Sequence, residues 1–437
     1  MKKSNSPIYF SSINSLFFVC SLLFSLSIFA QINSTDETVI TVDWDICRYH
    51  PKPNTHKSTI KVPNYIKQKM AAGGGCASFI VTYNGFTPQA ESAFQYAVDI
   101  WANSIESTIP IRVTANFGPL DAGVLGGAGP TSFRTVSGSG FPSNVIFPIA
   151  LAEKLIGAEL PNGPSPTSQD ISATFSSTAN FYFGLDGNTP GGQVDFVSVV
   201  LHELGHGLGI LGFGRVDDTS NPTVGILRNT GFINVWDHFI ENGTPTAVTS
   251  FADPSAALLT EFTSNDLFSN GPITTAQNGG VKPSTYAPAT FNQGSSYSHW
   301  DEVTYPAGDA NSLMTPSIAP GEAIHNPGFV TLGFMEDMGW SICGGSLKVN
   351  EFSEETVEVS PNPFTSSIDI KLSNGLNDDY IINLFDINGR VVLSETKVAR
   401  NGTITIFNLE HLDDALYFVK ITNKTNNASI TKKVIKN

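Results

Sequence analysis

Two hydrophobic patterns divide the chain. The first begins near residue 79. Residues 79–83 alternate as a strand does. Thr87-Pro88 offers a cap and a first-turn proline, and Ala90, Ala93, Phe94, Ala97, Ile100, Trp101 and Ile105 then recur at helical spacing. Residues 109–115 read as the next strand, with Pro110 at its start, where a missing N–H is tolerated. Residues 171–185 hold alternating apolar segments that end at the turn Asp186-Gly187-Asn188. A nearly continuous apolar run follows: Phe196, Val197, Val199, Val200, Leu201, Leu204 and Leu208. Asp195 stands before it as an N-cap, and Gly205, Gly207, Gly209, Gly212 and Gly214 crowd its far end. This predicts a mostly buried helix. Residues 215–298 are rich in Gly, Pro, Ser, Thr and Asn with little periodicity, which predicts long loops with short elements.

The second pattern starts after Gly344-Gly345. Apolar and polar residues alternate in Val357-Glu358-Val359, Ile368-Asp369-Ile370, Ile381-Ile382-Asn383-Leu384, Ile404-Thr405-Ile406 and Leu416-Tyr417-Phe418-Val419, and Asn388-Gly389 and Asn401-Gly402 supply hairpin turns. This predicts a small antiparallel β-sandwich over residues 346–437. Strands precede the one strongly apolar helix, so the first region is expected to be α+β, with a cleft between two lobes.

The N-terminus changes the picture again. Lys2 and Lys3 precede the apolar residues 16–30, and Ala30 suits cleavage before Gln31, the layout of a secretory signal peptide over residues 1–30. No other segment is long and apolar enough to span a bilayer. Residues 31–74 are polar, with Pro51, Pro53, Pro63 and Gly73-Gly74-Gly75; they read either as a propeptide or as a loosely packed arm. The main body is expected over residues 75–345. Of 437 residues, 41% are hydrophobic and 14% charged, which suits packed cores, and the net charge of −15 argues against a nucleic-acid partner. Signal removal leaves Cys47, Cys76 and Cys343. Cys76 and Cys343 bracket the body, where a disulfide would close a long loop.

The apolar run carries the chemistry. Residues 202–206 read His202-Glu203-Leu204-Gly205-His206. Histidines at i and i+4 lie one turn apart on one helix face, where both imidazoles can bind one zinc ion. Glu203 can serve as base toward a water that the metal activates. A catalytic site needs a third protein ligand. In the compact extended motif it follows a glycine turn; Gly209 fills the glycine position, but Gly212 stands where that histidine would be. His50 and His56 lie in the leader and His411 in the tail, so His238, His299 and His325 remain, with Glu241 or Glu261 as carboxylate alternatives.

His299 falls in Ser298-His299-Trp300-Asp301-Glu302, shortly before Asn311-Ser312-Leu313-Met314-Thr315-Pro316. With His202, Glu203, His206 and Gly209, these segments resemble the leishmanolysin-type metzincins, over roughly residues 76–343. There a long insertion separates HExxHxxG from the third His and a Met-turn follows. The resemblance implies a metzincin-like two-lobed zinc protease domain. One catalytic zinc would be held by His202, His206 and His299, with Glu203 as general base and Met314 as floor. The segments Ser360-Pro361-Asn362-Pro363-Phe364, Phe385-Asp386-Ile387-Asn388-Gly389-Arg390, 416–421 and 432–436 resemble the type IX secretion sorting domain. That resemblance implies export to the medium or cell surface, with the type IX machinery as partner.

The expectation is thus a secreted zinc metalloendopeptidase acting on protein or peptide substrates. The alternative is a surface adhesin or binding protein with a structural zinc and no hydrolysis. Cys47 is a candidate thiolate ligand to zinc in a latent precursor, with an idle thiol or a disulfide as the plainer readings. Asp186, Asn188, Asp195, Asp217 and Asp218 are oxygen donors that fit a calcium site, and turn chemistry explains them equally.

Overall fold

The computed structural model describes residues 39–40, 49–138, 140–161, 169–344, 357–372, 379–400, 402–424 and 429–437. The expected signal segment 1–30 and Cys47 lie outside the described residues.

The body is built on a four-stranded sheet in the spatial order Phe79–Asn84, Ile111–Gly118, Ile171–Ser176, Gly126–Pro130. The first three strands are parallel; Gly126–Pro130 runs antiparallel at the edge. Ile111, Val113 and Ala115 are buried while Arg112 and Thr114 between them are partly exposed, the period of a strand with one face on a core. The edge strand Gly126-Gly127-Ala128-Gly129-Pro130 shows no such pattern, and its sequence does not announce a strand. Its glycines serve close approach: a Cβ on Gly126 would lie 2.8 Å from Cδ1 of Phe175.

Two helices pack on each other against this sheet. Pro88–Ala102 starts at Thr87, whose hydroxyl accepts the Ala90 N–H at 3.2 Å. Phe196–Leu208 starts at Asp195, whose carboxylate accepts the Ser198 N–H at 2.8 Å. All 13 residues of this second helix are buried, and the Trp101 indole donates to the Leu201 carbonyl at 2.9 Å, pinning one helix to the other.

Residues 215–298 hold short elements, as expected, but they are packed rather than loose. Ile240–Asn242, Leu267–Ser269 and Ser284–Thr285 form a three-stranded sheet; the helix Ala256–Phe262 packs on the strand Val224–Ile226, and the helix Pro272–Gln277 packs on the helix Phe329–Met338. Trp236 packs against Trp300 and Phe334, with ring centroids 5.2 and 4.7 Å away. Non-repeating aromatic contacts hold this region, so periodicity does not reveal it.

The described part of the leader is no loose arm. Ser58–Ile60 pairs in parallel with Glu322–Ile324, and Val62 and Ile66 join the body's core, which runs from Tyr49 to Ile342. Cys76 and Cys343 are joined, with Cα atoms 5.6 Å apart across 267 residues of sequence. In the chain-entropy picture a loop that long is worth on the order of 5 kcal/mol.

The tail is a sandwich of two antiparallel sheets. One holds Val357–Ser360, Ile368–Leu372 and Thr403–Ile406; the other holds Val391–Val398, Asp379–Phe385, Leu416–Asn423 and Ser429–Ile435. Its core is apolar: Ile368, Ile370, Ile382, Leu384, Ile404, Ile406, Val419 and Ile421. Gly389 turns one hairpin at φ +79°. Asn401 lies outside the described residues. The chain as a whole is α+β, and among the described residues no helix is long and apolar enough to cross a membrane.

Candidate metal centre

The site begins with the helix Phe196–Leu208. Its four-residue spacing puts His202 and His206 on one face, with their Nε2 atoms 3.0 Å apart. Glycine inside a helix costs about 1 kcal/mol relative to alanine. Here close packing requires it: a Cβ on Gly205 would sit 2.8 Å from Sδ of Met314. The helix stops at Gly209, φ +126°, a conformation that L side chains rarely adopt.

The chain then leaves for the insertion and returns to the same place. The Gly212 N–H donates to the Ser298 hydroxyl at 3.0 Å, and the Phe213 N–H donates to Asp237 at 3.0 Å. Gly212 and Ser298 thus close the neck of the insertion, and the next residue, His299, reaches the helix. Its Nε2 lies 3.2 Å from that of His206 and 3.3 Å from that of His202. His299 is fixed on both sides: its carbonyl accepts the Tyr286 N–H at 2.8 Å, and the next N–H, of Trp300, donates to the Met314 carbonyl at 2.9 Å.

Each imidazole is oriented from behind. His202 Nδ1 meets the Leu313 carbonyl at 2.7 Å, His299 Nδ1 meets that of Ser295 at 2.6 Å, and His206 Nδ1 meets that of Ile210. A carbonyl only accepts, so each Nδ1 carries the proton and each Nε2 presents a lone pair to the shared centre. Burial holds all three rings neutral: the pKa values of His202 and His299 fall well below the ordinary histidine value, helped by their neighbours, and burial lowers His206 to about 4. Neutral imidazoles are the form that binds a metal.

Glu203 lies beside them. Its Oε2 accepts the Ala128 N–H of the edge strand at 2.7 Å, whereas its Oε1 is buried with no hydrogen-bond partner among the described residues. Burial pushes this carboxyl well above the usual carboxylate range, against the opposing pull of the Ala128 N–H. His202, Glu203, His206 and His299 are each 0% exposed.

Among the described residues, His202, His206 and His299 form the one group of three His, Cys, Asp or Glu placed to share an ion. The other candidates lie elsewhere. His325 Nε2 is 2.8 Å from Asp195 Oδ1, at the start of the helix. His238 packs edge-on against Phe141 and Phe239. Glu241 pairs with Lys282 and accepts from Asn270, and Glu261 accepts from Asn242 at 3.3 Å. The oxygen donors are also dispersed: Asp186 binds Tyr182 and Asn188, Asp195 caps the helix, Asp217 holds Thr219 and Ser220, and Asp218 is exposed. Sequence reasoning missed two contributors. One is Ala128, whose part is played by a backbone N–H on a strand without an alternating pattern. The other is Tyr49, whose ring stacks on His202 at 3.8 Å and 11°.

Comparison with known proteins adds the following. Residues 358–437 match the family model of the secretion system C-terminal sorting domain. Residues 142–219, which include the site helix, match a family described as SPBPB7E8-like, a description that names no activity. The search of curated proteins gives no match. A solved structure of a DUF3244 family protein from Bacteroides vulgatus, described as an immunoglobulin-like β-sandwich, is 20% identical; the match covers 19% of this chain and 84% of that one, with a TM-score of 0.16. PorU of Porphyromonas gingivalis, in a dimeric latent form, is 19% identical over 18% of this chain and 9% of that one, TM-score 0.16. PorZ of the same organism, described as a surface component of the type IX secretion system, is 18% identical over 21% and 13%, TM-score 0.17. The chain therefore spans only a small part of these last two proteins. The C-terminal sandwich is a type IX sorting domain, and it directs the chain to the cell surface or the extracellular space.

Proposed function

We propose that the body is a zinc-dependent endopeptidase of the metzincin kind, released or displayed by its sorting tail. The observation that carries this reading is the spacing of three neutral imidazoles around one shared point, with the buried carboxylate of Glu203 next in sequence to His202. Tetrahedral ligands about 2.0–2.1 Å from zinc stand roughly 3.3 Å from one another. The three Nε2–Nε2 distances are 3.0, 3.2 and 3.3 Å, so the donor set fits a zinc ion. The unpartnered Glu203 Oε1 fits as well, since leaving a buried polar atom unpaired costs roughly 1–3 kcal/mol and calls for a reason.

His202, His206 and His299 would hold the metal, which when bound supplies a Lewis acid for a peptide carbonyl and lowers the pKa of a water molecule. The remaining work belongs to the chain. With a cation held by the three imidazoles, Glu203 would be favoured in its ionised form, opposing the effect of burial. The Ala128 N–H fixes Oε2, which leaves Oε1 to accept a proton from water and pass it to the leaving amine. The carbonyls of Leu313, Ile210 and Ser295 hold the imidazoles in one tautomer. Met314 sits under Gly205, so the Leu313-Met314 turn both orients His202 and closes the floor.

One observation favours a second reading. All four polar side chains are fully buried, as in a structural metal site of an adhesin. Metal content cannot separate the two readings, but hydrolysis can. A mixed protein substrate is incubated with the metal-loaded chain, with and without a zinc chelator. The protease reading predicts peptide-bond cleavage that the chelator stops, whereas the adhesin reading predicts metal without cleavage.

A further inference from the structure

We infer that Cys76 is a modification site for thiols: an external thiolate attacks its sulfur and forms a mixed disulfide there, and Cys343 leaves as a thiolate held by the Lys69 ammonium. The inference goes beyond the metal site and does not rest on it.

The two sulfurs of the Cys76–Cys343 bond have different surroundings. Cys343 is 5% exposed, whereas Cys76 is half-buried and follows Gly73, Gly74 and Gly75, all exposed. A Cβ added to Gly73 or Gly74 would meet no described atom within 4 Å, so the approach past them is open. Access therefore selects Cys76 as the sulfur attacked.

Charge selects the other sulfur as the one released. The helix Asn64–Ala72 brings Lys69 to Cys343, where its ammonium donates to the carbonyl at 2.6 Å and to the sulfur at 3.0 Å. Burial lowers the pKa of this lysine, and the Glu106 carboxylate opposes that. A sulfur within a disulfide is neutral and accepts weakly. Once the bond breaks the same sulfur is a thiolate, so its contact with the ammonium strengthens during the step. A thiol of lower pKa is the faster leaving group. Access and charge are independent observations, and both point to the same direction of attack.

The step balances as thiol–disulfide exchange. The external sulfur bonds to Cys76 Sγ while the Cys76–Cys343 bond breaks, and the bonding pair departs on Cys343 Sγ. In reverse, the Cys343 thiolate attacks Cys76 Sγ and expels the external thiolate. Cys76 is thus the exchanging sulfur and Cys343 the resolving one in both directions. Cys343 keeps its place meanwhile: its N–H donates to the Ser104 carbonyl at 3.0 Å, and Ser341–Ile342 pairs antiparallel with Ile105–Glu106. The opened pair stays positioned to reclose. Because the bond ties two points 267 residues apart, its state decides whether the body is cross-linked.

The test uses the full oxidised chain. It is exposed to reduced glutathione under native conditions, quenched with acid after a small fraction has reacted, alkylated with N-ethylmaleimide and mapped by mass spectrometry. Glutathione on Cys76 with maleimide on Cys343 is expected in at least about tenfold excess over the mirror product. Opening by dithiothreitol is timed in parallel. Lys69→Met should slow it about tenfold, and Lys69→Arg should restore most of the rate. Glutathione found on Cys343 as often as on Cys76 would overturn the assignment. So would a Lys69→Met chain that opens as fast as the wild type or faster, the result expected of a lysine that only packs against the bond. The wild-type map decides the direction of attack even where Lys69→Met fails to fold.

Discussion

The C-terminal sandwich and the site helix use burial for opposite ends. In the sandwich, Ile368, Ile370, Ile404 and Ile406 face inward and polar neighbours face out, so the buried groups are those that water rejects. In the helix Phe196–Leu208, His202, Glu203 and His206 are as deeply buried as the valines and leucines around them. A polar group without partners is costly to bury. The sandwich needs no explanation beyond stability. The helix buries a carboxylate oxygen and two imidazoles that, together with His299, have an arrangement that fits a cation, and that contrast sets a carrier module apart from one with a candidate metal site.

The largest expected effect breaks the metal-site side of the comparison. His299→Ala leaves two imidazoles, and bound zinc and hydrolysis should both be lost, as read by metal analysis after desalting and by casein cleavage. His238→Ala, on a ring packed between Phe141 and Phe239, should alter neither. One tight zinc per chain in His299→Ala, with full activity, would move the search for the third ligand elsewhere.

Removing the carrier side should do the reverse. A chain ending near Gly345 keeps the disulfide, the core to Ile342 and the whole histidine cluster. It should cleave substrate as the full chain does, yet be retained by the cells that make it. Fractionation of the culture checks this, and normal appearance in the medium would count against the role of the sorting domain.

A smaller effect is expected at the start of the site helix. His325→Ala removes the contact to Asp195 Oδ1 at 2.8 Å. A hydrogen bond to a charged group is worth about 1.5–3 kcal/mol, so denaturant melts should show a loss of that order with zinc retained.

The smallest effect concerns pH. Glu153 and Asp170 are buried acids, raised by burial first and by neighbouring charge to about 8 and about 7. Their folded pKa values lie above the unfolded ones. Folding therefore favours their neutral forms, and the stability they contribute is fully present below about pH 4 and is lost as pH rises toward 8. Glu153→Gln should flatten the fall in melting temperature between pH 5 and 8; an unchanged slope would remove Glu153 as its source.

Much of this was legible in the sequence because the signals are local. Asp195, the apolar run and Gly209 frame the site helix, and alternation or a short apolar run marks five strands of the tail. Val391–Val398 and Ser429–Ile435 escaped because their charged residues, Glu395 with Lys397 and Lys432 with Lys433, interrupt the apolar signal. His299 lies 93 residues from His206, and no local period links them; only the resemblance pointed to it. Tyr49 carried no signal at all, since its stacking partner, His202, lies far along the chain.

The most direct measurement is paired zinc content and hydrolysis in Glu203→Gln and the wild-type chain, made under the same conditions. The amide keeps the three imidazoles and the fold but cannot act as a base. The account predicts wild-type zinc content with hydrolysis reduced at least about 100-fold. Near-normal turnover in a fully zinc-loaded Glu203→Gln chain would contradict it.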